Sequence, residues 1–280
     1  MSVFQALVLA LLQGITELFP VSSLGHSVVL PSLLHWRIDQ RDPSFLAFLT
    51  LLHVGTATAL FIYFRTEWFA IIAALVRSAV SGRLSGSAEE RLGWRLVAGT
   101  VPVGFAGVLL ESKVKDLFAT PKLAAAFLIV NGAIMLAGER LRRRAAAFDA
   151  GRTGLEQLSF GAAILIGSSQ TLAFVPGISR SGSTIVGGLL ANLKHEAAAR
   201  FSFLLATPVI AAAGVLEVPQ LFVASARPSL PVYALGGLVA GVAAYVSVAY
   251  LMRYFRGGRL DPFAIYCAAF GVVSLILLSR

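Results

Sequence analysis

Cysteine is nearly missing from this 280-residue chain; its single copy, Cys267, lies in the last apolar run. That excludes an intramolecular disulfide and a thiol-ligand metal site. Charge is scarce as well, at 13% of residues, against a hydrophobic share of 57%. A soluble chain carries about 25% charge. No hydrophilic stretch is long enough to form a soluble domain, so residues 1–280 read as one integral membrane domain. The opening MSVFQALVLALLQG has no basic n-region and no small-residue cleavage site, which argues against a removable signal peptide. Acid is rarer than base, 14 residues against 23, for a net charge of +9. The basic residues collect in loops between apolar runs. That distribution belongs to membrane orientation and not to nucleic-acid binding.

What is present is a series of long apolar runs, the mark of an all-α polytopic membrane protein. Full spans are expected at 45–64, 96–110, 123–138, 197–216, 231–252 and 262–278. Two segments break instead. Residues 3–19 end at Pro20 and resume as a short piece at 24–36; residues 157–174 break at Pro176 and resume at 183–193. Each piece falls short of the roughly 20 residues that cross a bilayer. A span kinked at proline and a re-entrant pair of half-helices both fit, and the re-entrant pair is favoured. Loop backbone at membrane depth is tolerated where protein buries it or it lines a wet cavity.

The halves, about 1–150 and 151–280, repeat one plan. Pro20 precedes Phe48 by 28 residues and Pro176 precedes Phe203 by 27, while Pro121 and Pro262 open the last span of each half. With re-entrant pairs each half has an odd number of spans, so the halves are expected to be inverted. One face then holds the loops at 65–95, 140–156, 194–200 and 253–259. Its fifteen basic residues include Arg83, Arg152 and the cluster Arg140, Arg142, Arg143 and Arg144. The other face has seven: Arg37, Arg41, Lys113, Lys115, Lys122, Arg227 and Arg280. The richer face is expected to be cytoplasmic, with both termini outside. The SGRLSGSAEE stretch reads as a flexible, solvent-exposed loop.

The chemistry sits in the two breaks. Glu17 is the one acidic residue well inside an apolar segment, where an unpaired carboxylate costs about 2–3 kcal/mol or more. Gln13 lies one turn earlier on the same face. Ser22, Ser23 and His26 follow; the serines suit a nucleophile or a helix cap, and the imidazole a nucleophile, acid or ligand. In the second break Arg180 is flanked by Gly177, Ser179, Ser181, Gly182, Ser183 and Thr184. A Gly/Ser loop opening a helix presents N–H groups and the positive end of the dipole. A guanidinium beside it completes a cradle for phosphate oxygens. Glu17 and Arg180 are therefore expected to meet. His53 reads as a satisfied hydrogen-bonding residue within its span, and His35 and His195 as interfacial.

QGITELFPVSSLGH and VPGISRSGSTI, with FSFLLATP at 201–208 and DPFAIY at 261–266, resemble the bacterial undecaprenyl-pyrophosphate phosphatases, also called bacitracin-resistance proteins. The resemblance covers nearly the whole chain. It implies a multi-pass enzyme of the bacterial inner membrane whose site opens toward the periplasm. Such an enzyme hydrolyses undecaprenyl diphosphate to undecaprenyl phosphate and inorganic phosphate, recycling the carrier for peptidoglycan synthesis. It implies catalytic roles for Glu17, His26, Ser23 and Arg180, with Gln13, Ser22 and the loop from Gly177 to Thr184 at the substrate. It also implies a divalent cation, Mg²⁺ or Ca²⁺, near Glu17. Many relatives carry a glutamate at the place of Gln13, whose amide adds no negative charge; the diphosphate itself is then expected to supply most of the cation's ligands. The expected partners are the polyprenyl diphosphate and the bilayer, with a homodimer left open. The alternative from another class is a lipid-phosphate flippase or anion transporter, for which the phosphate cradle alone suffices.

Overall fold

The computed structural model describes residues 1–40, 42–82, 86–117, 120–146, 153–217 and 230–280. Arg41, Arg83, Arg152, Arg227 and the side chains of Lys113 and Lys115 lie outside the described residues, so the charge count is not tested there. The described residues form helices and no strand; the one bridge pairs Thr153 with Leu193. Six helices are long and apolar enough to cross a membrane. They are α3 (Pro43–Tyr63), α5 (Ala88–Leu117), α6 (Pro121–Ala146), α9 (His195–Glu217), α10 (Leu230–Tyr254) and α11 (Asp261–Leu278). They carry the expected full spans, with α5 and α6 longer than expected at both ends. The chain is a polytopic all-α membrane protein.

Both breaks form where expected. The first separates α1 (Val3–Thr16) from α2 (Ser23–Leu33). At 14 residues α1 is about 21 Å long, short of the hydrocarbon core. The second separates α7 (Phe160–Ser168) from α8 (Arg180–Leu190). Here the chain tightens into a 3₁₀ turn, Ser169–Phe174, so regular helix stops six residues before the expected 174. A serine caps the helix after each break. Ser22 Oγ accepts from Gly25 N at 3.2 Å, and Ser179 Oγ accepts from Gly182 N at 3.0 Å. These caps fix where the chain becomes helical again.

One element departs from the sequence reading. Residues 65–81 form α4 (Arg65–Ser81), not a loop, and α5 already begins at Ala88. Trp68, Ile71 and Ala74 of α4 are buried, yet Phe69, Val76 and Val80 are exposed. A run bounded by Arg65 and Arg77 is too short to span and was hidden among the charges of its loop. Arg200 on α9 ties it down through Glu67, Nη2 to Oε1 at 2.7 Å.

Packing between the halves is reciprocal. α1 and α3 pack on α10, while α7 and α9 pack on α5; α6 pairs with α11, and α3 with α9. Small residues permit these approaches: a methyl added to Gly167 of α7 would overlap the backbone of Gly99 in α5. One added to Gly14 of α1 would meet the Ala240 carbonyl in α10. Close backbone contact through glycine is the usual means of helix association in lipid. Meanwhile Phe105, Leu165, Leu238 and Ile265 face outward and exposed, as a bilayer-facing surface requires.

Candidate active site

The two breaks meet. Arg180, the first residue of α8, reaches Glu17 at the end of α1: Nη2 lies 3.1 Å and Nε 3.3 Å from Oε1. Both nitrogens thus fall on one carboxylate oxygen, and Nη1 donates to the Ser202 carbonyl at 3.3 Å. The other oxygen, Oε2, accepts from Ser23 Oγ at 2.6 Å and Gln13 Nε2 at 3.1 Å. It also faces His53 Nε2 at 3.2 Å. Ser181 Oγ donates to the Glu17 carbonyl at 3.2 Å. The expectation that Glu17 and Arg180 would be partners holds in the structure.

Asn131, midway along α6, joins the tips from behind. Its Nδ2 donates to the Pro20 carbonyl at 3.1 Å, and its Oδ1 accepts from Ser179 N at 3.0 Å. Gly177 passes so close to α6 at φ +103° that a methyl there would overlap the Ala124 carbonyl. Only glycine adopts that backbone without strain. A side-chain amide bridging two interrupted helices satisfies backbone groups that water cannot reach in a bilayer.

In front of the tips lies a cavity of about 320 Å³. Its walls come from α2, α3, α5, α9, the 3₁₀ turn and the α8 tip, and they are mostly apolar. Of the expected site residues, Glu17, Ser22, Ser23, Ser179 and Arg180 line it. Ser22 is spent as the cap of α2. Thr184 is spent on the Arg180 and Ser181 carbonyls and on Ser202 Oγ, at 2.6 Å from the last. Ser183 is buried and its Oγ finds no partner. The expected cradle of loop amides is largely taken: Ile178 N bonds Val175 O, Ser179 N bonds Asn131, and Gly182 and Ser183 N both return to Ser179. What faces the cavity is the guanidinium and the N-terminus of α8.

His26 is not brought to the cavity. Its Nδ1 sits 2.7 Å from the Ser22 carbonyl, which only accepts, so Nδ1 carries the proton. Its Nε2 is 2.9 Å from the Tyr266 hydroxyl, and the ring stacks on Phe270 at 4.7 Å between centroids. The imidazole is buried, and Ser22 beneath it holds φ +70°, a conformation that side chains other than glycine adopt only at a cost.

His53 stands instead where chemistry is possible. Its Nδ1 lies 2.8 Å from the Leu49 carbonyl and must donate, leaving Nε2 aimed at Glu17 along the cavity wall. Two groups that only accept would repel there, so a proton lies between Nε2 and Oε2. The sequence reading gave His53 hydrogen bonding alone; its place, the one imidazole deep in a full span, was the available signal. His195 opens α9, where an interfacial residue is expected, and is buried against Glu139 at 2.8 Å.

A cation does not fit on Glu17 itself. Both carboxylate oxygens are filled by donors, three of them on the basic side chains Arg180 and His53. Among the described residues no group of three or more His, Cys, Asp or Glu is arranged to hold a metal. Gln13 turns its amide nitrogen, not its carbonyl, to the carboxylate, and its Oε1 is buried without a partner.

Comparison with known proteins identifies the family. A sequence model described as bacitracin resistance protein BacA matches residues 6–273. The chain is similar to the undecaprenyl-diphosphatase of Acidiphilium cryptum, 54% identical over 98% of this chain and 97% of that protein. It is also similar to undecaprenyl-diphosphatase 2 of Chromobacterium violaceum, 44% identical over 99% of each. The undecaprenyl-diphosphatase of Mycolicibacterium paratuberculosis is 45% identical over the whole of this chain. The match over nearly the full length, with both broken helices inside it, makes this chain a member of the BacA bacitracin-resistance family.

Proposed function

We propose that this protein hydrolyses undecaprenyl diphosphate to undecaprenyl phosphate and inorganic phosphate, and through that activity confers bacitracin resistance. The observation that carries the reading is Ser23 Oγ, 2.6 Å from Glu17 Oε2 and on the same cavity wall as Arg180. A serine hydroxyl is a weak nucleophile until a base takes its proton. Glu17 is that base. Ser23 Oγ attacks the terminal phosphorus, its proton passes to Glu17, and the bridging P–O bond breaks with its electron pair leaving on undecaprenyl phosphate. Water then attacks the phosphoserine phosphorus, the Ser23 Oγ–P bond breaks, Glu17 returns its proton to Ser23 Oγ, and phosphate leaves. Arg180 and the positive end of α8 hold the phosphoryl oxygens and stabilise the charge that builds on them.

His26 does not attack in this scheme; its protonated Nδ1 keeps the Ser22–Ser23 turn in place. The apolar walls receive the first units of the prenyl chain. A divalent cation, Mg²⁺ or Ca²⁺, would be held by the diphosphate and not by Glu17, and would supply positive charge against the phosphate. The two broken pairs re-enter on opposite faces, which the reciprocal packing of α1 on α10 and α7 on α5 supports. The cavity then opens to the periplasm of a bacterial inner membrane, where the spent lipid carrier is released.

The test is phosphate release from polyprenyl diphosphate by detergent-purified protein. Wild type is run beside Ser23→Ala, Glu17→Gln and Arg180→Lys, with and without chelator. Release that the three substitutions suppress supports the reading. Folded wild type that releases no phosphate, with added Mg²⁺ or Ca²⁺, overturns it.

A further inference from the structure

One polar side chain of the cavity wall is neither used by the scheme above nor engaged by any protein partner. Gln170 lies in the 3₁₀ turn Ser169–Phe174, on the approach to the second tip. Its side chain is 1% exposed, and neither Nε2 nor Oε1 has a hydrogen-bond partner. The contrast with the rest of the polar wall is complete. Ser22 and Ser179 cap helices, Ser23 donates to Glu17, and Thr50 returns to the Leu46 carbonyl at 3.1 Å. Glu17, Arg180 and His53 engage one another. Among the described residues of this wall, Gln170 alone has both a donor and an acceptor unspent.

A buried amide without partners is a standing cost that an apolar side chain of the same shape would avoid. Such a group is retained where something that visits the site completes it. The visitor here is rich in acceptors, since a diphosphate presents phosphoryl oxygens and no carbon-bound donors. The backbone next to Gln170 is a tight turn and not a regular helix, so its side chain is positioned by the same irregular segment that leads to Arg180.

We propose that Gln170 is a substrate-contacting residue for the diphosphate headgroup. Its Nε2 donates to a phosphoryl oxygen that Arg180 also serves, and its Oε1 accepts from a water carried in with the headgroup. The inference rests on the phosphatase reading and adds a residue to that same site. It assigns Gln170 no proton transfer and no covalent step.

The experiment measures kcat and KM on polyprenyl diphosphate, and inhibition by inorganic pyrophosphate, for wild type, Gln170→Leu and Gln170→Glu. Gln170→Leu removes both polar atoms and leaves a branched apolar side chain one atom smaller. Its kcat/KM is expected to fall about 10- to 100-fold, as for one lost hydrogen bond to a charged oxygen. Pyrophosphate inhibition weakens alongside it, while the thermal midpoint stays at the wild-type value or rises. Gln170→Glu places a negative charge against the phosphate and falls further than Gln170→Leu. Gln170→Met, the closest unbranched apolar shape, replaces Gln170→Leu if that variant does not fold. Wild-type kcat/KM and wild-type pyrophosphate inhibition in the apolar variant overturn the proposal. So does a Gln170→Glu enzyme that matches the apolar one. Inactive but folded wild type would instead sink the phosphatase reading, so the two failures are told apart.

Discussion

Gly25 of α2 runs against Gly177 of the second tip so closely that a methyl on Gly25 would stand 2.9 Å from the Gly177 Cα and 3.1 Å from its nitrogen. The obstacle is backbone on one side, and Gly177 itself is pressed against α6 on the other. Neither can yield without moving Ser179 and Arg180, two and three residues after Gly177. Gly25→Ala is therefore expected to destabilise the protein by about 1–3 kcal/mol, the usual cost of overpacking. It should also lower phosphate release more than the stability loss accounts for, because Arg180 is displaced from Glu17. Thermal unfolding in detergent and initial rates on the folded fraction check both. Full activity in folded Gly25→Ala would mean that the tips tolerate separation.

The Ser23–Glu17 contact predicts a trapped intermediate. With Ser23 as nucleophile, Ser23→Ala is expected to lose at least ~1000-fold in kcat, comparable to loss of a serine nucleophile elsewhere. Acid quench of wild type with terminally labelled polyprenyl diphosphate should leave label on protein, at Ser23, and Ser23→Ala should leave none. Removing one small hydroxyl costs little packing, so the unfolding midpoint is expected to stay close to wild type. Substantial turnover in Ser23→Ala would give the attack to water.

Much of this site was legible in the sequence. The price of a carboxylate in an apolar run singled out Glu17, and a lone guanidinium in a Ser/Gly break singled out Arg180; the two do pair. The helix breaks were legible because proline and serine caps act locally. The cradle was not, since which amides remain free depends on Asn131 and on Ser179, groups that meet only through tertiary packing. His53 and Gln170 were hidden for the same reason. A histidine or glutamine in an apolar stretch shows that some partner exists, but spacing along the chain does not say which. Helix α4 was missed because a 17-residue apolar helix between arginines has a loop's charge pattern.

His26 separates a positioning role from a chemical one. Its Nδ1 proton on the Ser22 carbonyl is the bond that matters, with Tyr266 and Phe270 fixing the ring. An asparagine amide supplies a donor at a similar distance from the backbone as Nδ1, whereas leucine supplies none. His26→Asn is expected to retain activity within about tenfold of wild type, and His26→Leu to lose about 100-fold or more, the loss being that of a misplaced nucleophile. Tyr266→Phe should fall near His26→Asn. Phosphate release and intermediate labelling in the three variants check this. A dead but folded His26→Asn beside an active Tyr266→Phe would return the imidazole to the chemistry.

His53 calls for a different pair of substitutions, because it acts on Glu17 and not on the backbone near the nucleophile. With Nδ1 committed to Leu49, the proton between Nε2 and Glu17 Oε2 offsets part of the carboxylate's charge beside an incoming anion. Without it, Glu17 keeps Arg180, Gln13 and Ser23 but presents more negative charge to the diphosphate. Glutamine at position 53 is neutral yet still donates to a carboxylate, so it preserves orientation and loses only any added positive charge. Leucine loses both. His53→Gln is therefore expected to raise KM with a smaller change in kcat, and His53→Leu to lower kcat as well, by about 10- to 100-fold overall. Parallel unfolding curves should show both variants folded. If His53→Leu instead matches wild type in kcat and KM, the imidazole on the cavity wall is a packing residue and Glu17 needs no partner beyond Arg180.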